Sequence, residues 1–265
     1  MASPTAATRP PAVAGAFYPA EPARLADLVD RLLLASSGGP RLPAPWAIVV
    51  PHAGYVYSGG VAAAAYERVR RAATIRRVVV AGPAHFVPLD GAAVPVAATW
   101  STPLGTVPID GVLRELAVAT GAVADDRPHG PEHSLEVQLP FLQRVVPEGL
   151  SILPLVVGDM LDEQVADLMG RLRDAADLLV VSTDLSHYHP DDVARRLDRQ
   201  TVDAIVARNP QAIGLDAACG IFALRGVVEL ARRLNLPVTL LDRRTSADAG
   251  GDPYRVVGYA AVAIG

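Results

Sequence analysis

The stretch WAIVVPHAGYVYSGGVAAAAYERV, residues 46–69, changes character twice. AIVV (47–50) is an unbroken apolar run rich in β-branched residues, the pattern of a strand covered on both faces. PHAGYVYSG (51–59) follows, with a histidine, two tyrosines and several glycines. GVAAAAYERV (60–69) then reads as a helix. A buried strand, a polar loop and a helix in immediate succession predict an α/β chain. A plain connection needs turn residues. It needs neither an imidazole nor two phenols, so the loop also raises a question about chemistry.

The alternation continues outward. A Pro-containing N-terminal stretch leads to an amphipathic helix over 22–35, with Leu25, Leu28, Val29 and Leu32 on one face. The segment 36–45 (SSGGPRLPAP) is a loop. RRVVVAG (76–82), SILPLVV (151–157), DLLVVS (177–182), PVTLLD (237–242) and YRVVGYAAVAI (254–264) are predicted strands. Helices are predicted over 110–120, 132–146 (kinked by Pro140), 162–176, 191–208 and 220–234, with a hairpin-like region at 90–108. Apolar strands separated by helices predict a mostly parallel sheet covered on both faces, with antiparallel character added by the last strand.

Composition sets the outer limits. The chain has 265 residues, half of them hydrophobic, enough for one substantial core spanning 1–265, with residues 1–8 expected as a flexible tail. Its net charge of -4 and the lack of a basic run argue against nucleic acid. All 24 cationic side chains are arginine, which reads as codon bias. The apolar runs fall short of the roughly 20 residues of a membrane span, and the N-terminal residues lack a secretory core. The one cysteine, Cys219, excludes an internal disulfide and suits a reducing cytoplasm.

In open α/β sheets, ligands bind outside the carboxyl ends of the strands. His52 follows AIVV, His85 follows VVVAG in GPAHF, and Asp184, His187 and His189 follow LLVVS in TDLSHYHP. Four of the six histidines thus converge on one edge. Taken singly, His52 or His85 reads as a loop residue bonded to backbone; the clustering favours a site. Gly54, Gly59 and Gly60 are expected to let the chain turn sharply, and Tyr55 and Tyr57 to wall a pocket. His189 and His129 are expected at the surface. His133 and Glu132 are candidate pocket residues, and Glu132 with Glu136 forms either a solvated face or a pair aimed at the site. Asp184 and His187 read as an acid/base pair, or Asp184 as a turn cap.

Two imidazoles and a carboxylate suit non-haem iron(II); two imidazoles and a thiolate suit copper or zinc. Asp184 and Cys219 both qualify as the third donor. Cys219 precedes a predicted helix, a position that favours thiolate. No Walker loop, GxGxxG or GxSxG occurs, so no nucleotide cofactor is expected.

The motifs GAFYP, VPHAGYVYSG, GPAHFVPLDG, TPLGTVPID, EHSLEVQLPFLQ, STDLSHY and CGIFALRG, in this order, resemble the Memo family, whose bacterial and archaeal members are called AmmeMemoRadiSam system protein B. The resemblance covers about residues 9–264. It implies one three-layer α/β/α domain, similar in fold to class III extradiol dioxygenases. It implies metal ligands at His52, His85 and Cys219, and an active-site pair at Asp184 and His187. Phe86 stands where some relatives are expected to carry a histidine. The implied function is an iron- or copper-dependent redox enzyme of unknown substrate, with zinc as a third metal. The alternative is a peptide- or small-molecule-binding protein on a dioxygenase scaffold, and a metal-assisted hydrolase ranks below both. Association with AMMECR-type and radical-SAM proteins is implied as well, although the chain has no CxxxCxxC motif.

Overall fold

A computed structural model describes residues 7–38, 44–70, 75–146 and 148–265. In chain order the elements are β1 (Thr8–Arg9), α1 (Pro22–Ala35), β2 (Ala47–Val50), α2 (Tyr55–Arg70), β3 (Arg77–Pro83), β4 (Ala92–Val94), β5 (Thr99–Thr102), β6 (Gly105–Pro108) and α3 (Gly111–Ala119). Next come β7 (Val123–Ala124), α4 (Leu139–Val145), β8 (Ser151–Val157), α5 (Asp162–Arg173), β9 (Leu178–Ser182) and β10 (His187–His189). The chain closes with α6 (Asp191–Val206), α7 (Ile221–Arg233), β11 (Val238–Thr245) and β12 (Val256–Ile264).

The main sheet runs β10-β12-β2-β9-β3-β8-β4-β7, with β11 also paired to β12. Its centre, β2-β9-β3-β8, is parallel throughout. The flanks are mixed: β12 lies antiparallel to β2, and β4 antiparallel to β8. The predicted α/β class and the antiparallel final strand both hold. The expected hairpin at 90–108 is divided. β4 joins the main sheet, while β5 pairs with both β1 and β6 in a separate three-stranded sheet.

Strand periodicity sorts the core into two halves. Ile48, Val50, Val78, Val80, Leu178 and Val180 face α1, α2 and α4. Ala47, Val49, Val79, Ala81, Leu179 and Val181 face α3, α5, α6 and α7. Helices on both sides of one sheet make the three layers. Chain direction explains which helix covers which face. The β2-α2-β3 crossover and the β8-α5-β9 crossover run in opposite directions along the sheet, so right-handed connections place α2 and α5 on opposite faces.

The expected first helix has the predicted limits; Leu25, Val29 and Leu33 are its buried stripe, with Leu28 and Leu32 partly buried beside it. The second helix begins at Tyr55 instead of residue 60, so Tyr55, Tyr57, Gly59 and Gly60 belong to α2 and not to a loop. None of Gly54, Gly59 and Gly60 has a positive φ. Gly59 serves packing instead: a Cβ there would lie 2.8 Å from Leu32 Cδ1 of α1. The helix expected over 132–146 is confined to α4. A 3-10 turn, Glu136–Gln138, precedes it, and Pro140 sits in the first turn of α4, where its missing N–H costs nothing.

Of the tail expected at 1–8, residues 1–6 lie outside the described residues, as do 39–43 of the expected 36–45 loop. Ala7 and Thr8 are tied down: the Ala98 N–H donates to the Ala7 carbonyl, and Thr8 is in β1. Arg9 explains this order. Its guanidinium donates to Glu136 Oε2 (2.7 Å) and to the carbonyls of His129 (2.7 Å) and Glu132 (2.6 Å), and lies over the Trp100 ring. Glu136 also accepts from the Ala12 and Val13 N–H groups and from the Tyr18 hydroxyl. Both members of this ion pair are buried.

Arg9→Ala leaves the Glu136 carboxylate buried without its cation, and is expected to cost about 3–5 kcal/mol. Urea unfolding checks it; a loss below about 1 kcal/mol would show that the backbone donors suffice alone. At the other end of the sheet, Asp110 caps α3 through the Leu113 N–H and pairs with Arg77. The Arg77 hydrogen bonds hold its carboxyl down to about 2. A depressed carboxylate contributes above its unfolded pKa and loses that contribution as pH falls toward 2. Asp110→Asn should therefore destabilise by about 1 kcal/mol near neutrality, with the difference from wild type shrinking between about pH 4 and 2 in paired denaturation curves.

Candidate metal centre

Three strand ends and two intervening segments build the site. His52 lies two residues beyond β2 and His85 two beyond β3; β9, between them in the sheet, ends at Ser182 and delivers Asp184. Glu132 and His133 arrive on the segment before the 3-10 turn, and Cys219 on the residues before α7. Two glycines permit the approach. A Cβ on Gly82 would lie 2.8 Å from Leu135 Cδ2, and one on Gly220 2.8 Å from Thr183 Cβ.

Nitrogen atoms of His52, His85 and His133 all lie within 4.8 Å of one another, close enough to share a metal ion. The His85 and His133 rings stack at 4.9 Å, and His52 meets both edge-on. Cys219 Sγ is 3.2 Å from His52 Nε2 and accepts from the Asp184 N–H at 3.3 Å. Of the donors expected at His52, His85 and Cys219, the two imidazoles stand together; their third partner is His133, while Cys219 lies beside His52 alone.

Hydrogen bonds orient the rings. Glu132 Oε1 lies 2.9 Å from His85 Nδ1, and Oε2 accepts from the His85 backbone N–H. A carboxylate that accepts from Nδ1–H leaves Nε2 free as a ligand, a common arrangement behind metal-bound imidazoles. Burial would raise the pKa of Glu132, but the His85 hydrogen bond and charge, with the backbone donors of Ser134 and His85, hold it down to about 2. It is therefore an anion inside the protein. His52 Nδ1 lies 3.0 Å from Ser182 Oγ. Burial, followed by the neighbouring His85 and His133, pushes the His52 imidazole well below its ordinary range and keeps it neutral. A neutral ring is what a metal requires.

Asp184 is buried, and its Oδ1 accepts from the His52 N–H at 2.7 Å. Burial pushes its carboxyl up to about 7, so it exchanges its proton near neutrality. Among the described residues no hydrogen bond or ion pair joins Asp184 to His187. Instead His187 opens β10 with its ring 5.6 Å from that of Tyr188. Burial lowers its pKa.

Several expected residues sit elsewhere. Tyr55 is a core residue, its ring against Tyr18 and Phe141 and its hydroxyl donating to the Val137 carbonyl. Tyr57 is exposed and walls no pocket among the described residues; His189 is exposed, as expected. His129 is buried, not at the surface, because Arg9 fastens its carbonyl and Trp100 packs on its ring; burial, then Arg9, lowers its pKa to about 4. Glu136 faces Arg9 and not the metal donors. Cys219 is not activated by its place before α7. Burial, and then Asp184, push its thiol up to about 12.

The sequence reading missed Ser182, Gln138 and Phe17. Phe17 packs edge-on against His133 at 4.9 Å, and its carbonyl accepts from the Tyr55 N–H. The GAFYP motif had drawn notice to the segment, but not to its role as a wall of the site. Phe86, in place of an expected histidine, is exposed with its ring 5.8 Å from His133.

The comparisons agree with this architecture. A family model described as "Memo-like protein" matches residues 9–263. A MEMO1 family protein of Aquifex aeolicus is 37% identical, with 95% of this chain and 97% of that protein covered. One from Methanopyrus kandleri is 35% identical over 96% and 98%. A crystal structure of an uncharacterized Escherichia coli K12 protein aligns with a TM-score of 0.54 at 14% identity, over 83% of this chain and 99% of that one, and so supports the fold alone.

Gly220→Ala would drive a methyl into Thr183 and shift the backbone that carries Cys219. The expected cost is about 1–3 kcal/mol, with slower thiol-reagent kinetics at Cys219 replaced by faster ones as the sulfur is exposed. Unchanged stability and unchanged reaction rate would show that the approach has slack.

Proposed function

The chain belongs to the Memo-like family, and from that membership and the geometry of its donors we propose a metal-binding protein with redox activity. The observation that carries it is the convergence of the His52, His85 and His133 nitrogens, with Cys219 Sγ 3.2 Å from His52 Nε2. His52, His85 and His133 would hold the ion, and Cys219, beside His52, would supply a sulfur donor. This soft, mixed set favours copper, iron(II) or zinc over magnesium or calcium. A bound iron or copper ion would supply one-electron chemistry and Lewis acidity.

The protein's own groups do the rest. Glu132 and Ser182 hold the His85 and His52 imidazoles in place. Asp184, with its carboxyl poised near 7, can take up or release a proton beside the His52 backbone and is the internal acid/base group. His187, at the start of β10, serves a substrate as a second proton carrier. Since no hydrogen bond joins them, the two act separately. The buried Cys219 thiol must lose its proton when it ligates, so metal binding releases a proton and tightens as pH rises.

A second reading, a ligand-binding protein on the same scaffold, draws on the exposed aromatics Phe86 and Tyr188 next to His85 and His187. They offer a peptide or small molecule an apolar rim around the donors.

Elemental mass spectrometry of anaerobically purified protein separates the two, with Cys219→Ser and His52→Ala as controls. Near-stoichiometric iron or copper in wild type, lost in His52→Ala and reduced at least tenfold in affinity in Cys219→Ser, is expected. Oxygen consumption is then screened. No retention of iron(II), copper(I) or zinc(II) after reconstitution would overturn the metal reading; metal bound with no redox turnover would favour the binding protein.

A further inference from the structure

His52 and His85 follow different strands, yet one segment orients both rings. Glu132 accounts for His85. For His52 the connection is longer, and the direction of each of its hydrogen bonds can be assigned. Gln138 lies between two fixed groups. Its Nε2 is 3.0 Å from the Pro51 carbonyl and 2.8 Å from Ser182 Oγ, and its Oε1 is 3.0 Å from the Tyr66 hydroxyl. A carbonyl can only accept, so Nε2 is the atom facing Pro51, and Tyr66 donates to Oε1. Ser182 Oγ is also 2.7 Å from the Ser134 carbonyl, and that acceptor takes the one hydroxyl proton. Two lone pairs then remain on Ser182 Oγ. Gln138 Nε2–H occupies one. The other faces His52 Nδ1 at 3.0 Å, so His52 must donate there.

We propose that Tyr66, Gln138 and Ser182 form a positioning relay that fixes His52 as the Nδ1–H tautomer and so presents an unprotonated Nε2 to the metal centre. The inference deepens the metal reading and rests on it only for the relay's purpose; the tautomer itself is a property of the metal-free protein. Tyr66, Gln138, Ser182 and His52 are all at most 2% exposed, so water does not compete for these bonds. The relay also explains a polar chain through the apolar layer between α2 and the sheet, where a buried glutamine would otherwise be costly. Together with Glu132 it makes residues 132–138 the common support of both imidazoles: Glu132 receives His85, while the Ser134 carbonyl and Gln138 fix the hydroxyl that receives His52.

The test is proton–nitrogen correlation NMR of the histidine rings in metal-free, 15N-labelled protein at about pH 8, where an ordinary imidazole is neutral. Wild type is expected to show His52 with its proton on Nδ1. Ser182→Ala should move that proton to Nε2 or give a mixture, while His85 keeps its tautomer on Glu132. Ser182→Thr, which retains the hydroxyl, should restore the wild-type pattern. Zinc(II) affinity, measured by competition with a chromophoric chelator, should fall about 10- to 100-fold in Ser182→Ala and recover in Ser182→Thr. An Nε2–H tautomer in wild type overturns the relay without any variant. So does a Ser182→Ala protein whose His52 tautomer is unchanged, even if it binds zinc less well. Wild type with the Nδ1–H tautomer but no affinity for any of the metals would uphold the relay and overturn the metal reading instead.

Discussion

Glu132 and Glu136 are both completely buried, and each keeps its place only because donors surround it. An ionised carboxylate inside a protein is tolerated when its oxygens are filled by charge-assisted hydrogen bonds. Glu136 is filled from the N-terminal side, by Arg9, Tyr18 and the N–H groups of Ala12 and Val13. Glu132 is filled from the sheet side, by His85 and Ser134. The segment between them is thereby fastened over the carboxyl edge of the parallel strands. The N-terminal segment, which brings Phe17 to His133, is fastened with it.

That placement decides the chemistry of the edge. Three imidazoles within reach of one another repel if charged, and burial further disfavours the charged form of His52 and His133. What remains is a group of nitrogen lone pairs beside a sulfur, with one anionic carboxylate behind it. The Cys219 thiol and the Asp184 carboxyl are both held toward their neutral forms by the same burial. The site is thus short of negative charge within its buried interior, and an incoming cation would be compensated by protons leaving these groups.

The small residues at the edge serve this crowding. Gly82 and Gly220 have ordinary backbone angles, so close approach and not conformational freedom explains them. Without a Cβ at these positions, the 132–135 segment and the Cys219 loop reach the ends of β3 and β9.

Much of this was legible in the linear chain. Apolar runs such as AIVV and LLVVS, each separated by helical periodicity, fixed a layered α/β architecture, because a strand buried on both faces must be continuously apolar. The rule that ligands gather at strand carboxyl ends picked out His52, His85 and Asp184, and the motif order pointed to the family. The readings of single residues fared less evenly. Tyr55 proved to be core and His129 buried, because hydroxyls and imidazoles look alike in sequence whether they meet solvent or a distant carbonyl. The start of α2 and the late start of α4 depended on local hydrogen bonds that periodicity does not report.

The sequence by itself therefore determined the layers, the edge where the candidate site lies and most of its donor types, since these follow from patterns repeated along the chain. Tertiary structure alone decided that His133 joins His52 and His85, that Asp184 turns to the His52 backbone instead of to His187, and that Ser182 and Gln138 stand behind the site. The physical reason is range: each of these depends on one hydrogen bond or ring contact between residues from about 40 to 130 positions apart, and such a bond leaves no periodic trace in the sequence on either side.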